Sequence, residues 1–198
     1  VIDWRAAQRR LGVKQDGIFG AVSYGALFST LANNAIPIAI DLGQAMYANA
    51  HTFHVDDNPD RLASFMGQCC HESGGFQHMQ ELGGSAYFTR LYEGRKDLGN
   101  TQPGDGARFH GRGPLQITGR ANYRQYGAAL GLDLIGSPDL AATPSVGIMI
   151  ALQFWLRNGL NEYADREDWT GQTRKINGGT KGLRERVVLI EMAKELLA

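Results

Sequence analysis

The stretch that most limits how this chain can fold is DNPDRLASFMGQCCHESGG, residues 57–75. It holds a helix start, one apolar stripe and a firm stop. Asn58 is a favoured N-cap residue, and Pro59 suits the first helical position, where no N–H is needed. Leu62, Phe65, Cys69 and Glu72 then fall at i, i+3, i+7 and i+10, so they share one helical face. Gly74 and Gly75 end the helix, because glycine turns left-handed without strain. The stripe must be buried, yet its last member is a carboxylate. A glutamate at the rim of an apolar stripe loses water and holds its proton more tightly. A proton retained at neutral pH is what a general acid needs.

A second glutamate, Glu81, follows nine residues later, beyond the glycine pair. In an unbroken helix, nine residues would advance about 900° and climb roughly 13 Å, pointing the two side chains apart. The break lets the chain turn back, so both can serve one site. Hydrolysis of a glycosidic bond needs such a pair: one carboxylic acid for the leaving oxygen and one carboxylate for water or the sugar. Spacing alone leaves a second reading open, in which Glu81 is a solvated surface residue.

Other patterns divide the rest of the chain. Residues 3–34 read as helix, turn, helix, with the turn at Asp16-Gly17 and Gly20 and the second helix at about 21–31. Residues 34–50 suggest a buried amphipathic helix. Residues 83–108, rich in glycine and charge, read as a long excursion. A short extended stretch over 115–118 leads into a helix from about Ala121. The strongly apolar run 143–159 is the candidate for the central helix, followed by short and long helices at 169–177 and 182–197. Seven or so helices with little strand signal make the expected fold mainly α.

Composition excludes several functions. Lysine plus arginine equals aspartate plus glutamate, 20 against 20, which gives no polyanion signal for nucleic acid. No apolar run is long enough for a membrane span, and residues 1–10 lack the apolar core of a signal peptide. The two cysteines, Cys69 and Cys70, are adjacent and poorly placed to bridge, so no disulfide framework is expected. His71, His78 and His110 with Glu72 do not follow H-E-x-x-H spacing, and no metal site is expected. Cys70 and His71 point about 100° apart on a helix and make no dyad. No phosphate-binding loop is present.

The order of motifs is specific. HESGGF, then FHGRGPLQITGRANY, PDLAATP, ALQFW, INGG and LRERV resemble the family 19 glycoside hydrolases over about residues 60–190, and in particular their bacteriophage endolysin branch. That resemblance implies a lysozyme-like, two-lobed helical fold with a central cleft, an inverting mechanism and no cofactor. Glu72 matches the general acid, Glu81 the general base, and Thr118 the hydroxyl that helps hold the attacking water. His71, Gln116, Asn122 and Tyr123 match cleft residues that position the sugar chain or the acid. Asn177 and Arg186 match a C-terminal polar cluster, with Arg186 expected to keep the base ionised. An inverting pair implies carboxyls roughly 6.5–9.5 Å apart.

Two features depart from the chitinases of that family: Met149 stands where they usually carry a lysine, and their disulfides are missing. The pattern QRRLGVKQDGIFG…SYGAL also resembles the front part of a peptidoglycan-binding module. Residues 1–34 are therefore expected to be a truncated module packed on a catalytic domain at 35–198, since roughly 30 residues cannot bury their own core. The expected activity is hydrolysis of β-1,4 bonds in peptidoglycan glycan strands by a monomer that does not insert into membranes. It would accumulate in the host cytoplasm and reach the wall once the membrane is breached. The rivals are a chitinase, a lytic transglycosylase and an inactive wall-binding protein.

Overall fold

The computed structural model describes residues 2–198. Those residues form eleven α-helices: α1 Trp4–Arg10, α2 Ala21–Leu31, α3 Ala39–Asn49, α4 Pro59–Glu72, α5 Ser85–Tyr92, α6 Asp105–Arg108, α7 Arg120–Leu130, α8 Pro144–Arg157, α9 Leu160–Asp165, α10 Trp169–Asn177 and α11 Leu183–Leu197. Extended pairing is confined to isolated antiparallel bridges, Gln80 with Arg112 and Arg112 with Ile117. The helices that announce themselves by caps and stripes fall where expected. Asn58 caps α4 by accepting from the Arg61 N–H at 2.9 Å.

The region 83–108 is not a plain loop. It contains α5, α6 and a 3₁₀ turn at Lys96–Leu98. Only Phe88 of α5 is buried; Tyr87, Phe88, Leu91 and Tyr92 fall at helical spacing, but the glycines and charges on either side make the segment read as loop. The six-residue helix α9 after Gly159 is too short to show a period.

Two apolar cores give the molecule two lobes. The larger gathers Leu27, Phe28, Leu42, Met46, Leu62, Phe65, Met66, Leu152, Trp155, Ile190 and Leu197 among others. The rings of Phe65 and Trp155 meet edge to face at 5.2 Å, a favoured geometry for aromatic pairs. The smaller core is Phe109, Ile117, Tyr123, Tyr126, Leu134, Ala141, Val146 and Ile150. Helix α8 serves both. It sends Ile148, Ala151, Leu152 and Trp155 into the large core and Val146 and Ile150 into the small one.

Two glycines set the tightest crossings. A Cβ on Gly67 of α4 would stand 2.7 Å from the Ile190 side chain and 2.8 Å from its backbone nitrogen. Helices α4 and α11 therefore pack with their backbones close. A Cβ on Gly43 of α3 would collide with the Ala21 carbonyl of α2. The N-terminal segment thus packs directly on the rest of the chain, and Phe19, Tyr24, Leu27 and Phe28 belong to the large core.

Candidate active site

Glu72 is the last residue of α4, and its side chain is 22% exposed. Arg186, nearly fully buried on α11, donates from Nη2 to Glu72 Oε1 at 2.5 Å. The other carboxyl oxygen, Oε2, has no hydrogen bond to the described residues. This corrects the sequence expectation for Arg186: it pairs with Glu72, not with Glu81. The cause is the close α4–α11 crossing, which aims the first turn of α11 at the last turn of α4. His71, half-buried beside Glu72, is pushed below its ordinary value by burial and then by Arg186.

After Glu72 the chain breaks as its glycines require. Ser73 Oγ donates to the Cys69 carbonyl at 2.7 Å and accepts from the Phe76 N–H at 2.8 Å. Gly74 and Gly75 adopt φ of 58° and 72°, in the left-handed region where glycine is free of strain. Phe76 then anchors the return, meeting Phe28 edge to face at 4.6 Å.

The return stretch is stitched to the small lobe. Gly113 N–H donates to the Met79 carbonyl and Glu81 N–H to the Gly111 carbonyl, both at 2.9 Å. The Glu81 carboxylate is held at both oxygens by neutral donors. Tyr92 hydroxyl donates to Oε1 at 2.9 Å, and the Gly111 N–H donates to Oε2 at 3.0 Å. Tyr92 is pushed up to about 12 by burial and by its bond to Glu81. It therefore stays a protonated donor at any ordinary pH.

Gln116 and Asn122, expected to position the sugar chain, and Thr118, expected to hold the water, form a chain on this lobe. Gln116 Nε2 donates to the carbonyls of His78 at 3.0 Å and Gly113 at 2.8 Å. Thr118 hydroxyl donates to the Gln116 carbonyl at 3.1 Å, and Asn122 Nδ2 to the Thr118 carbonyl at 2.8 Å. Asn177 lies on the other lobe. Its Nδ2 donates to the Lys181 carbonyl at 3.1 Å, the carbonyl that also receives Arg186 Nε at 3.4 Å.

Tyr123 is a second correction. It is fully buried in the small core, with its hydroxyl donating to the His110 carbonyl at 2.7 Å and accepting from Arg112 Nη1 at 2.8 Å. It touches no cleft. Adjacent helix positions point about 100° apart, so when Asn122 faces the wall Tyr123 must face inward.

Four contributors escaped sequence reading. Tyr92 and the Gly111 N–H hold Glu81, but Tyr92 lies in the segment read as loop. Gln68 accepts from Arg186 Nη1 at 2.6 Å; its place one turn before Glu72 on α4 was the signal available. His110, buried in the small lobe, stacks face to face on Phe88 with centroids 4.1 Å apart. Its Nδ1 lies 2.7 Å from the Ala107 carbonyl, so Nδ1 carries the proton, and Nε2 accepts from Gln80 at 2.8 Å. Burial pushes His110 below its ordinary value, consistent with this neutral tautomer.

Chemically, the arrangement offers one half-shielded carboxyl with a free oxygen and one carboxylate steadied by neutral donors. Among the described residues, the three-residue cluster spaced for a cation is His51, Asp56 and Asp57, in the turn after α3. It uses none of the site residues.

The profile of the chitinase class I family matches residues 38–177. A glycosyl hydrolase family 19 domain-containing protein of Haemophilus influenzae is 33% identical over 159 residues, covering 67% of this chain and 78% of that protein. Chitinase 8 of rice, Oryza sativa subsp. japonica, is 40% identical over 97 residues, which are 48% of this chain and 34% of that protein. The crystal structure of chitinase C from Streptomyces griseus superposes with a TM-score of 0.71 at 23% identity, covering 90% of this chain and 93% of that one.

Proposed function

The chain belongs to the family 19 glycoside hydrolases, and on that premise we propose that it hydrolyses the β-1,4 bond between aminosugars of the peptidoglycan glycan strand with inversion. The observation that carries the reaction is the unequal treatment of the two carboxyls. Arg186 engages Glu72 Oε1, which leaves Oε2 as the atom to bear the proton toward the leaving oxygen. Once that proton has gone, the guanidinium stabilises the new carboxylate. Glu81 accepts two neutral hydrogen bonds and keeps lone pairs to draw a proton from water. Thr118, whose own proton goes to the Gln116 carbonyl, presents oxygen lone pairs to that water.

Peptidoglycan as substrate draws support from the likeness of residues 1–34 to a wall-binding module, from Met149 in place of a lysine, and from free, buried Cys69 and Cys70. Release through a breached host membrane, as for phage endolysins, is part of the same reading. Chitin is the second reading, favoured by the relatives that are named chitinases. Most of these plant proteins are longer: the chain spans 34% and 42% of the length of two of them.

One digest decides. Purified peptidoglycan and chitin oligomers are each treated with the parent and with Glu72→Gln, and the products are read by mass spectrometry. Muropeptides with hydrated reducing ends from the parent alone support the proposal. Anhydro ends would identify a transglycosylase. Cleavage of chitin oligomers only would establish the second reading, and binding of wall without cleavage would leave a binding protein.

A further inference from the structure

Behind Arg186, the large lobe contains a chain of buried polar side chains that the mechanism above does not use. Ser64, Gln68 and Glu72 lie at i, i+4 and i+8 on α4, so they share one face. Gln172 Nε2 donates to Ser64 Oγ at 2.7 Å and to the Leu160 carbonyl at 3.2 Å. Gln68 Nε2 donates to Gln172 Oε1 at 3.1 Å and to Thr173 Oγ1 at 3.3 Å. Arg186 Nη1 donates to Gln68 Oε1, while Nη2 donates to Glu72 Oε1. Ser64, Gln68, Gln172 and Thr173 are completely buried.

The direction of this chain is forced. A guanidinium can only donate, so Gln68 must turn its carbonyl oxygen to Arg186 and its amide to α10. Gln172 must then accept with its oxygen and donate onward to Ser64. Four helical residues of α4 and α10 therefore fix one guanidinium at the rim of the core. Such a chain stabilises a fold little more than apolar residues of the same volume would. Its consequence is geometric: Gln68 and Glu72 share one guanidinium.

We propose that Gln68 is a positioning residue for the general acid, dividing Arg186 between itself and Glu72 and so setting how strongly Glu72 is held as a carboxylate. This rests on the reading of Glu72 as the acid. The titratable neighbours of Glu72 are Cys69 and His71 on α4 and Arg186 on α11, with Glu185 facing His71. From the return stretch, His78 packs over Gly74. Of these, only Arg186 hydrogen-bonds to the side chain at position 68.

Two substitutions push in opposite directions. In Gln68→Met, Nη1 loses its acceptor and the whole guanidinium turns to Glu72, which gives up its proton more readily. In Gln68→Glu, the new carboxylate captures Nη1 and adds a like charge one turn from Glu72, which then keeps its proton more tightly. The alkaline limb of kcat/KM should move to lower pH in Q68M and to higher pH in Q68E. The carbon-13 titration of the Glu72 carboxyl should follow in each. The rate of Q68M at the parent's optimum should fall about tenfold, the effect of one hydrogen bond to a charged group. Gln172→Leu, which never meets Arg186, should give a smaller shift in the sense of Q68M.

Thermal melting establishes that each variant is folded. If Q68E does not fold, Q68M and Q172L decide between them. Folded variants whose limbs and titrations stay with the parent overturn the proposal, as do shifts of Q68M and Q68E in the same direction. If the parent cleaves neither glycan, the glycosidase reading fails, and the carbon-13 titration alone still decides the role of Gln68.

Discussion

The two lobes hold their carboxyls by different means. Glu72 stands at the edge of a large apolar core and faces a full positive charge, Arg186, itself fixed by buried amides. Glu81 hangs from the small lobe, whose core is only eight side chains, and pairs with no cation among the described residues. Its partners are a phenol and a backbone N–H. The small lobe makes up for its thin core with buried polar contacts. Asp105 is 1% exposed, accepts Arg120 Nη2 at 2.6 Å and Nε at 2.8 Å, and takes the backbone N–H groups of Thr101 and Gln102. A cation thus holds Glu72, and neutral donors hold Glu81.

This contrast can be broken by substitution. The largest effect is expected at the carboxyls. Glu81→Gln should cut kcat by about 10²- to 10⁴-fold, the usual worth of a general base, with the melting temperature close to the parent's. A variant retaining most of its activity on the cleaved glycan would refute the role of Glu81.

Next comes the large core. Trp155→Ala removes the ring against Phe65 and should cost about 3–5 kcal/mol in urea unfolding. Tyr123→Phe in the small lobe deletes only the hydroxyl between Arg112 and the His110 carbonyl. It should cost about 1–3 kcal/mol. A larger loss for Tyr123→Phe than for Trp155→Ala would reverse the ranking of the two lobes.

Tyr92→Phe should lower kcat by about tenfold, as one lost hydrogen bond to a charged group would, with KM little changed. A change confined to KM would instead make Tyr92 a contact for the sugar.

The smallest effect is in pH. Burial holds His110 neutral below its ordinary value of 6.5, so the unfolded chain takes up a proton there first. The stability that follows is complete above that value and is lost as pH falls toward the folded one. Asp105 acts in the same sense at lower pH, because Arg120 holds its carboxyl below the usual 3.8. His110→Phe should flatten the part of the urea midpoint that declines as pH drops below about 6.5. An unchanged slope would mean that the imidazole charges freely in the fold.

Sequence reading succeeded where physics is local. Caps, apolar stripes and glycine stops located α4, α8, α10 and α11, because those signals lie within each segment itself. It missed α5, whose Tyr87, Phe88, Leu91 and Tyr92 fall at helical spacing, but in a helix of only eight residues between glycine- and charge-rich stretches. It placed Arg186 with the wrong glutamate, because no spacing reveals which end of α4 will meet α11; the Gly67–Ile190 crossing decides that in three dimensions. It placed Tyr123 in the cleft because Asn122 and Tyr123 are neighbours in a motif, although a helix separates their directions. The family likeness identified the residue types, but the partner of each side chain is a matter of packing.

Helix α8 lends alternate faces to both cores, so neither lobe has a complete set of walls without it. A nick between residues 144 and 157 would leave two fragments that each lack a side of their interior. They would regain order only by finding one another again, and the Glu72 and Glu81 environments would be restored together or not at all.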